Sequence, residues 1–171
     1  MNTFYKDLKY SLDLRTHKAF NDFYYKKFAG LERVETIDYE TQPELQLSGI
    51  DKILHFSNGA KATIDEKKRR KAYNDIYLEL WSNYSLKRLG WVYTAQCDYI
   101  VYFIEPTQTV YILPLLLLQG ALRKHRKQWT CEYGTISYAI NGNVKAVGLP
   151  VPADVLLNAI YEQMQGYYKS L

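Results

Sequence analysis

The chain has 171 residues, 47% of them apolar, which is enough to bury a core in one compact domain, and no Ser/Gly-rich linker divides it. A net charge of +4 is modest for a nucleic-acid binder, so the distribution of charge says more than its total. The only cysteines, Cys97 and Cys131, lack CxxC spacing, so neither a zinc site nor a disulfide framework is supported; the longest apolar run, residues 110–118, contains Pro114 and falls far short of a membrane span.

Residues 16–28 place Phe20, Phe23, Tyr24 and Phe28 at helical spacing, and Gly30 supplies a stop. Asp22 lies within this helix. Residues 31–39 read as a strand or extended segment, and Gln42-Pro43 breaks regularity. Residues 47–56 are strand-like and close on Ser57-Asn58-Gly59-Ala60, a hairpin signal, after which residues 62–67 form the returning strand. A third strand is expected over residues 75–81, with Tyr77 and Glu79 on one face and Ile76, Leu78 and Leu80 on the other. Past a loop around Lys87 to Trp91, residues 98–104 and 109–113 form two β-rich runs about Glu105-Pro106-Thr107-Gln108.

Residues 115–128 read as a helix, apolar at its start and basic towards its end, where cations complement the helix dipole. Residues 129–140 and 144–147 then form a hairpin about Asn141-Gly142-Asn143. The chain closes with a helix from Val151-Pro152-Ala153-Asp154 to about residue 168, its buried side carrying Leu156, Leu157, Ile160, Tyr161 and Met164. The sequence predicts a single domain over 1–171 of the α/β or α+β class. No N-terminal apolar stretch suggests a signal peptide, so the expectation is a soluble cytoplasmic protein with reduced thiols.

Chemistry concentrates around the Asn58-Gly59 turn. Asp51 and, fourteen positions later, Asp65-Glu66-Lys67 fall near the same end of a hairpin, away from its turn. Strand alternation puts Asp65 and Lys67 on one face and Ile64 and Glu66 on the other. Two acids can hold Mg²⁺ through hard oxygen ligands, and a lysine two residues past the second acid can orient or polarise the attacking water. That set is the minimal kit for metal-assisted cleavage of a phosphodiester.

Two basic clusters, Lys67-Lys68-Arg69-Arg70-Lys71 and Arg123-Lys124-His125-Arg126-Lys127, flank ordered segments. A charge run is ordinarily a solvated face. Two of them, one abutting the acids, suggest a track for a phosphate backbone through Lys68, Arg69, Arg70, Lys71, Arg123, Lys124, Arg126 and Lys127. The 17 tyrosines against six phenylalanines suit amphipathic packing at strand edges, or stacking on bases and donation to phosphates. His17, His55 and His125 are scattered and outside any HExxH context, and no GxxxxGK[ST], GxGxxG or GxSxG occurs, so zinc proteolysis, ATP hydrolysis and acyl transfer are not expected.

Asp51 and Asp65-Glu66-Lys67 on successive strands after a helix resemble the PD-(D/E)XK nuclease superfamily. Gly49-Ile50-Asp51, Ile64-Asp65-Glu66-Lys67, Asp75-Ile76-Tyr77-Leu78-Glu79, Gly90-Trp91 and Asp98-Tyr99-Ile100 are similar to small phage and bacterial members. The resemblance implies a restriction-endonuclease-like core, a mixed central sheet flanked by helices. It implies Asp51 as the first metal-binding acid, Asp65 as the second, Lys67 as the catalytic lysine and Glu66 as a ligand through its backbone carbonyl. A third acid is expected from Asp22 or Glu79. Ile50 stands where the family motif has proline. The function so implied is a Mg²⁺-dependent deoxyribonuclease, with Mn²⁺ able to substitute, acting in phage or mobile-element DNA processing or recombination, and possible as a homodimer. The alternative is a catalytically weak or inactive nucleic-acid-binding protein of the same fold, and RNA stays open as a substrate.

Overall fold

The computed structural model describes residues 14–140 and 144–169, a mixed α/β arrangement with helices flanking its sheets. Helix α1 (Leu14–Lys27) leads into β1 (Leu31–Thr36), a short α2 (Pro43–Leu47), β2 (Lys52–Phe56), β3 (Lys61–Arg69), β4 (Asp75–Asn83) and β5 (Arg88–Leu89). A one-turn α3 (Trp91–Thr94) follows, then β6 (Tyr99–Ile104), β7 (Thr109–Pro114), α4 (Leu115–Tyr133), β8 (Ile136–Ile140), β9 (Val144–Pro152) and α5 (Ala153–Lys169).

The strands form a mixed five-stranded sheet, β1-β2-β3-β6-β7, and a four-stranded one, β5-β4-β9-β8. In the first, β1, β2 and β3 form an antiparallel meander, whereas β3 pairs in parallel with β6 and puts Asp65 opposite Ile100 and Lys67 opposite Tyr102. Paired residues share a face, so this register sorts the sheet into two surfaces. Ile64 and Val101 join Leu54 and Tyr24 of α1 in a small core. Ile100, Tyr102 and Ile104 turn the other way, into a larger core shared with Ile76, Leu78 and Leu80 of β4, Leu149 of β9, Leu118 and Leu122 of α4, and Leu156 of α5. Asp65 and Lys67 thus belong to the face that looks between the sheets, and Glu66 to the face beneath α1.

The Asn58-Gly59 turn closes as the sequence predicts, with Gly59 at φ +83° and its N–H donating to the Phe56 carbonyl. Elsewhere the boundaries move. The strand expected from residue 47 begins only at Lys52, because Pro43 opens α2 and Gly49, at φ +67°, turns the chain before Asp51. The strand over 75–81 exists but lies in the second sheet, paired with β5 and β9. Residues 129–133 are helical, not extended, since buried Trp129 continues the apolar stripe of α4 to Tyr133. Arg123 to Lys127 therefore sit mid-helix, no basic residue occupies the last turn, and the dipole does not explain them. On α5, Leu157 and Tyr161 are exposed while Leu156, Ala159 and Ile160 are buried. The turn at Asn141-Gly142-Asn143 lies outside the described residues. Among the described residues, no helix is long and apolar enough to cross a membrane.

Candidate active site

Asp51 enters the site from the turn before β2, where its backbone N–H donates to the Ile64 carbonyl at 2.8 Å. Its Oδ2 accepts the backbone N–H of Glu66 at 2.7 Å, and its Oδ1 accepts the hydroxyl of Tyr39. Asp65, on β3, is 2% exposed, and its Oδ1 accepts from Lys67 Nζ at 2.6 Å. The period-2 geometry of the strand produces this contact, since residues two apart point the same way. Asp65 Oδ2 is buried and has no hydrogen-bond partner. It lies beside Gly49, where an added Cβ would come within 3.3 Å of it.

The electrostatics are those of crowded acids. Burial pushes the Asp65 carboxyl up to about 6, with Lys67 opposing the rise and the neighbouring Asp51 carboxylate adding to it. Burial alone would lower the Lys67 ammonium, but Asp65, Asp51 and Glu79 outweigh it and hold Lys67 above the ordinary lysine value. Lys67 is therefore a fixed cation near neutral pH. The Trp91 ring, with its centroid 5.8 Å from Nζ, walls this cation on the α3 side.

Behind the strand, Glu66 faces α1. Its Oε1 accepts the Tyr24 hydroxyl at 2.8 Å and lies 3.9 Å from Nζ of Lys52, which is fully buried and donates to Thr36 Oγ1 at 3.1 Å. Burial raises the Glu66 carboxyl to about 7, although Lys52 and the Tyr24 hydroxyl oppose the rise. Tyr24, Tyr39 and Lys52 escaped the sequence reading. A signal was present: a tyrosine inside an apolar stripe needs a partner for its hydroxyl, and alternation put a carboxylate on the core face with Ile64.

The structure brings Asp51, Asp65, Lys67 and the Glu66 backbone together, leaves Asp22 apart and sets Glu79 close enough to bear on Lys67. Asp22 is exposed on α1. Glu79, on β4, accepts the Trp91 N–H at 3.4 Å and is within electrostatic reach of Lys67. Gly90 makes that approach possible, because a Cβ there would sit 2.2 Å from the Glu79 carbonyl oxygen. Among the described residues, no group of three or more His, Cys, Asp or Glu side chains converges as metal ligands.

The basic clusters divide. Arg69 pairs with Asp75, reaches the Tyr102 hydroxyl at 3.4 Å and lies 4.5 Å from the Tyr73 ring centroid, so it ties β3 to β4. Lys68 shares the Glu66 face and bears on that carboxyl, while Arg70 and Lys71 are exposed beyond the strand. On α4, Lys124 pairs with Glu162 at 3.0 Å and His125 stacks on Trp129, whereas Arg123 and Arg126 line an open cleft with Tyr93. Lys127 is exposed.

Comparison with protein-family models, with curated proteins and with solved structures returns no match for this chain.

Proposed function

We propose that the chain is a metal-dependent nuclease acting on DNA, with a restriction-endonuclease-like core. The observation that carries this reading is the Asp51–Asp65 pair: two neighbouring carboxylates, one with a buried unpartnered oxygen, beside a lysine held as a cation. Like charges so placed call for a proton or a cation between them. The donor set suits Mg²⁺, which is commonly held by one or two carboxylates together with waters and substrate phosphate and needs no third acid. A helix followed by a meander that brings Asp51, just before β2, beside Asp65 on β3 also agrees with the PD-(D/E)XK resemblance.

Asp51 and Asp65 would hold the ion, and when bound it would polarise the phosphoryl oxygen and acidify a water. Tyr39 and the Glu66 N–H orient Asp51, and Gly49, having no Cβ, leaves room beside Asp65 Oδ2. Lys67, already protonated, cannot serve as the base; it orients the attacking water and offsets charge developing on phosphate.

One observation favours the alternative, a binding protein without catalysis. Lys67 occupies Asp65 Oδ1, and Tyr39 with the Glu66 N–H occupies both oxygens of Asp51, so most of the site is satisfied within the chain. Plasmid and branched DNA incubated with Mg²⁺ and wild type, Asp65→Ala or Lys67→Ala separates the two. Cleavage by wild type alone supports the nuclease; binding by all three without cleavage supports the alternative; equal cleavage by all three removes these residues from the site.

A further inference from the structure

Helix α3 has two walls. On one, Trp91 faces Lys67; on the other, Tyr93 borders an open cleft of about 380 Å³ completed by Gln119, Leu122, Arg123 and Arg126 of α4. We infer that this cleft holds one unpaired nucleotide of a DNA strand, its base stacked on Tyr93 and its phosphate at Arg123 and Arg126. The substrate class is therefore DNA with a single-stranded segment beside the cleavage point. This rests on the nuclease reading only for what happens next to the cleft, not for the cleft itself.

The cleft's volume falls in the range of small-molecule sites, roughly 300–1,000 Å³. Arg123 and Arg126 are three apart on a helix and so lie on one face, about 5–6 Å apart at Cβ. Both are exposed, and among the described residues neither guanidinium has an acidic partner, in contrast to Lys124, which Glu162 neutralises. The Arg126 guanidinium carbon lies 5.8 Å from the Tyr93 centroid, at the outer edge of cation–π range, a weak contact that a base stacking on the ring would displace or share. A forked guanidinium pair beside an aromatic ring suits a nucleotide, because phosphate takes bidentate donors and any base can stack.

The backbone that carries the ring is also held in place. Gln119 Nε2 donates to the Val92 carbonyl at 3.1 Å, the Tyr93 N–H donates to Gly90 at 3.0 Å, and Thr94 Oγ1 donates to Gly90 at 3.2 Å. Val92 and Leu122 are buried beneath. Tyr93 itself is 37% exposed. Trp91 and Tyr93 stand two residues apart on the one-turn α3, so Lys67 and the cleft border the same short helix. A paired base would have to leave the stack to place its ring there, at a cost of roughly a few kcal/mol that an unpaired nucleotide does not bear.

The test is fluorescence anisotropy with a labelled eight-nucleotide single strand and the matching duplex, in EDTA so that no cleavage intervenes. Tyr93→Ala is expected to weaken single-strand binding about 5- to 100-fold and to leave duplex binding within about twofold. Tyr93→Phe should bind like wild type. Each of Arg123→Ala and Arg126→Ala should lower the slope of log K against log salt for the single strand by about 0.7. Thermal melts of each variant establish folding. Single-strand binding unchanged in Tyr93→Ala, equal losses on single strand and duplex, or no single-strand binding by wild type would each overturn the inference. If wild type never cleaves with Mg²⁺ yet binds single strands through Tyr93, the nuclease reading falls and the cleft stands. If Asp65→Ala stops cleavage while Tyr93→Ala changes nothing, the cleft falls alone.

Discussion

The backbone N–H of Glu66 donates to Asp51 Oδ2 across 2.7 Å, so the strand that carries Asp65 and Lys67 also grips the acid that precedes β2. One peptide group thereby fixes the spacing of both carboxylates. Tyr39 completes the grip from the segment after β1. Tyr39→Phe removes a hydrogen bond to a charged, half-buried group and should cost about 1.5 kcal/mol. Urea unfolding of the two proteins measures it; a loss below about 0.3 kcal/mol would mean that water replaces the hydroxyl.

Lys67→Met leaves Asp65 Oδ1 without its partner in a site where Oδ2 already has none. The Asp65 carboxyl, near 6 in the presence of Lys67, should titrate higher in the variant, because the lysine is the main force lowering it. Carboxyl-carbon NMR across a pH series reads the value directly, and an unchanged midpoint would show that the ammonium does not bear on Asp65.

Glu66 titrates near 7 in the folded protein against an ordinary value of 4.5. Between these values the folded state binds more protons than the unfolded one, so stability falls as pH rises from about 4.5 to about 7 and is level above. Asp65, raised to about 6, acts in the same sense. In Glu66→Gln the Glu66 share disappears. The stability of the variant relative to wild type should therefore climb through this interval, by on the order of 3 kcal/mol at most, on top of whatever constant offset Lys52 introduces. Urea melts at pH 5, 6, 7 and 8 would show it, and parallel curves would contradict it.

Gly90→Ala should be the most damaging single methyl in the site. Its Cβ would sit 2.2 Å from the Glu79 carbonyl oxygen and 2.8 Å from Cγ, both in a packed strand, so α3 must lift off β4. A loss of about 3 kcal/mol or more is expected, of the order seen for overpacked interiors. A melting midpoint within a few degrees of wild type would show that α3 moves freely.

Arg69 and Lys71 should differ although both belong to one basic run. Arg69→Ala breaks the Asp75 pair and the Tyr73 contact and should lower stability by about 1–2 kcal/mol. Lys71→Ala should leave stability within about 0.5 kcal/mol and, on the proposed function, weaken DNA binding. Melts paired with DNA titrations separate the two roles.

The legible features were the local ones. Period-2 alternation placed Asp65 beside Lys67, and Asn58-Gly59 fixed the hairpin that carries them. What escaped depended on distant chain. Nothing in residues 75–81 says that β4 leaves the first sheet, since an alternating strand fits either. Trp129 reads equally as strand or helix until the core it fills is known. Asp22 sat at a plausible spacing on α1, yet among the described residues of that helix it is Tyr24, two positions on, that reaches an acid, Glu66. A helix of known limits still has an undetermined rotation, and that rotation decides which side chain arrives.

The most direct test is a Mn²⁺ titration followed by electron paramagnetic resonance on wild type and Asp65→Ala. Saturable binding by wild type that weakens at least about tenfold in the variant, with unchanged circular dichroism, is the expected result. Equal Mn²⁺ affinity in both proteins would contradict a metal site at Asp51 and Asp65.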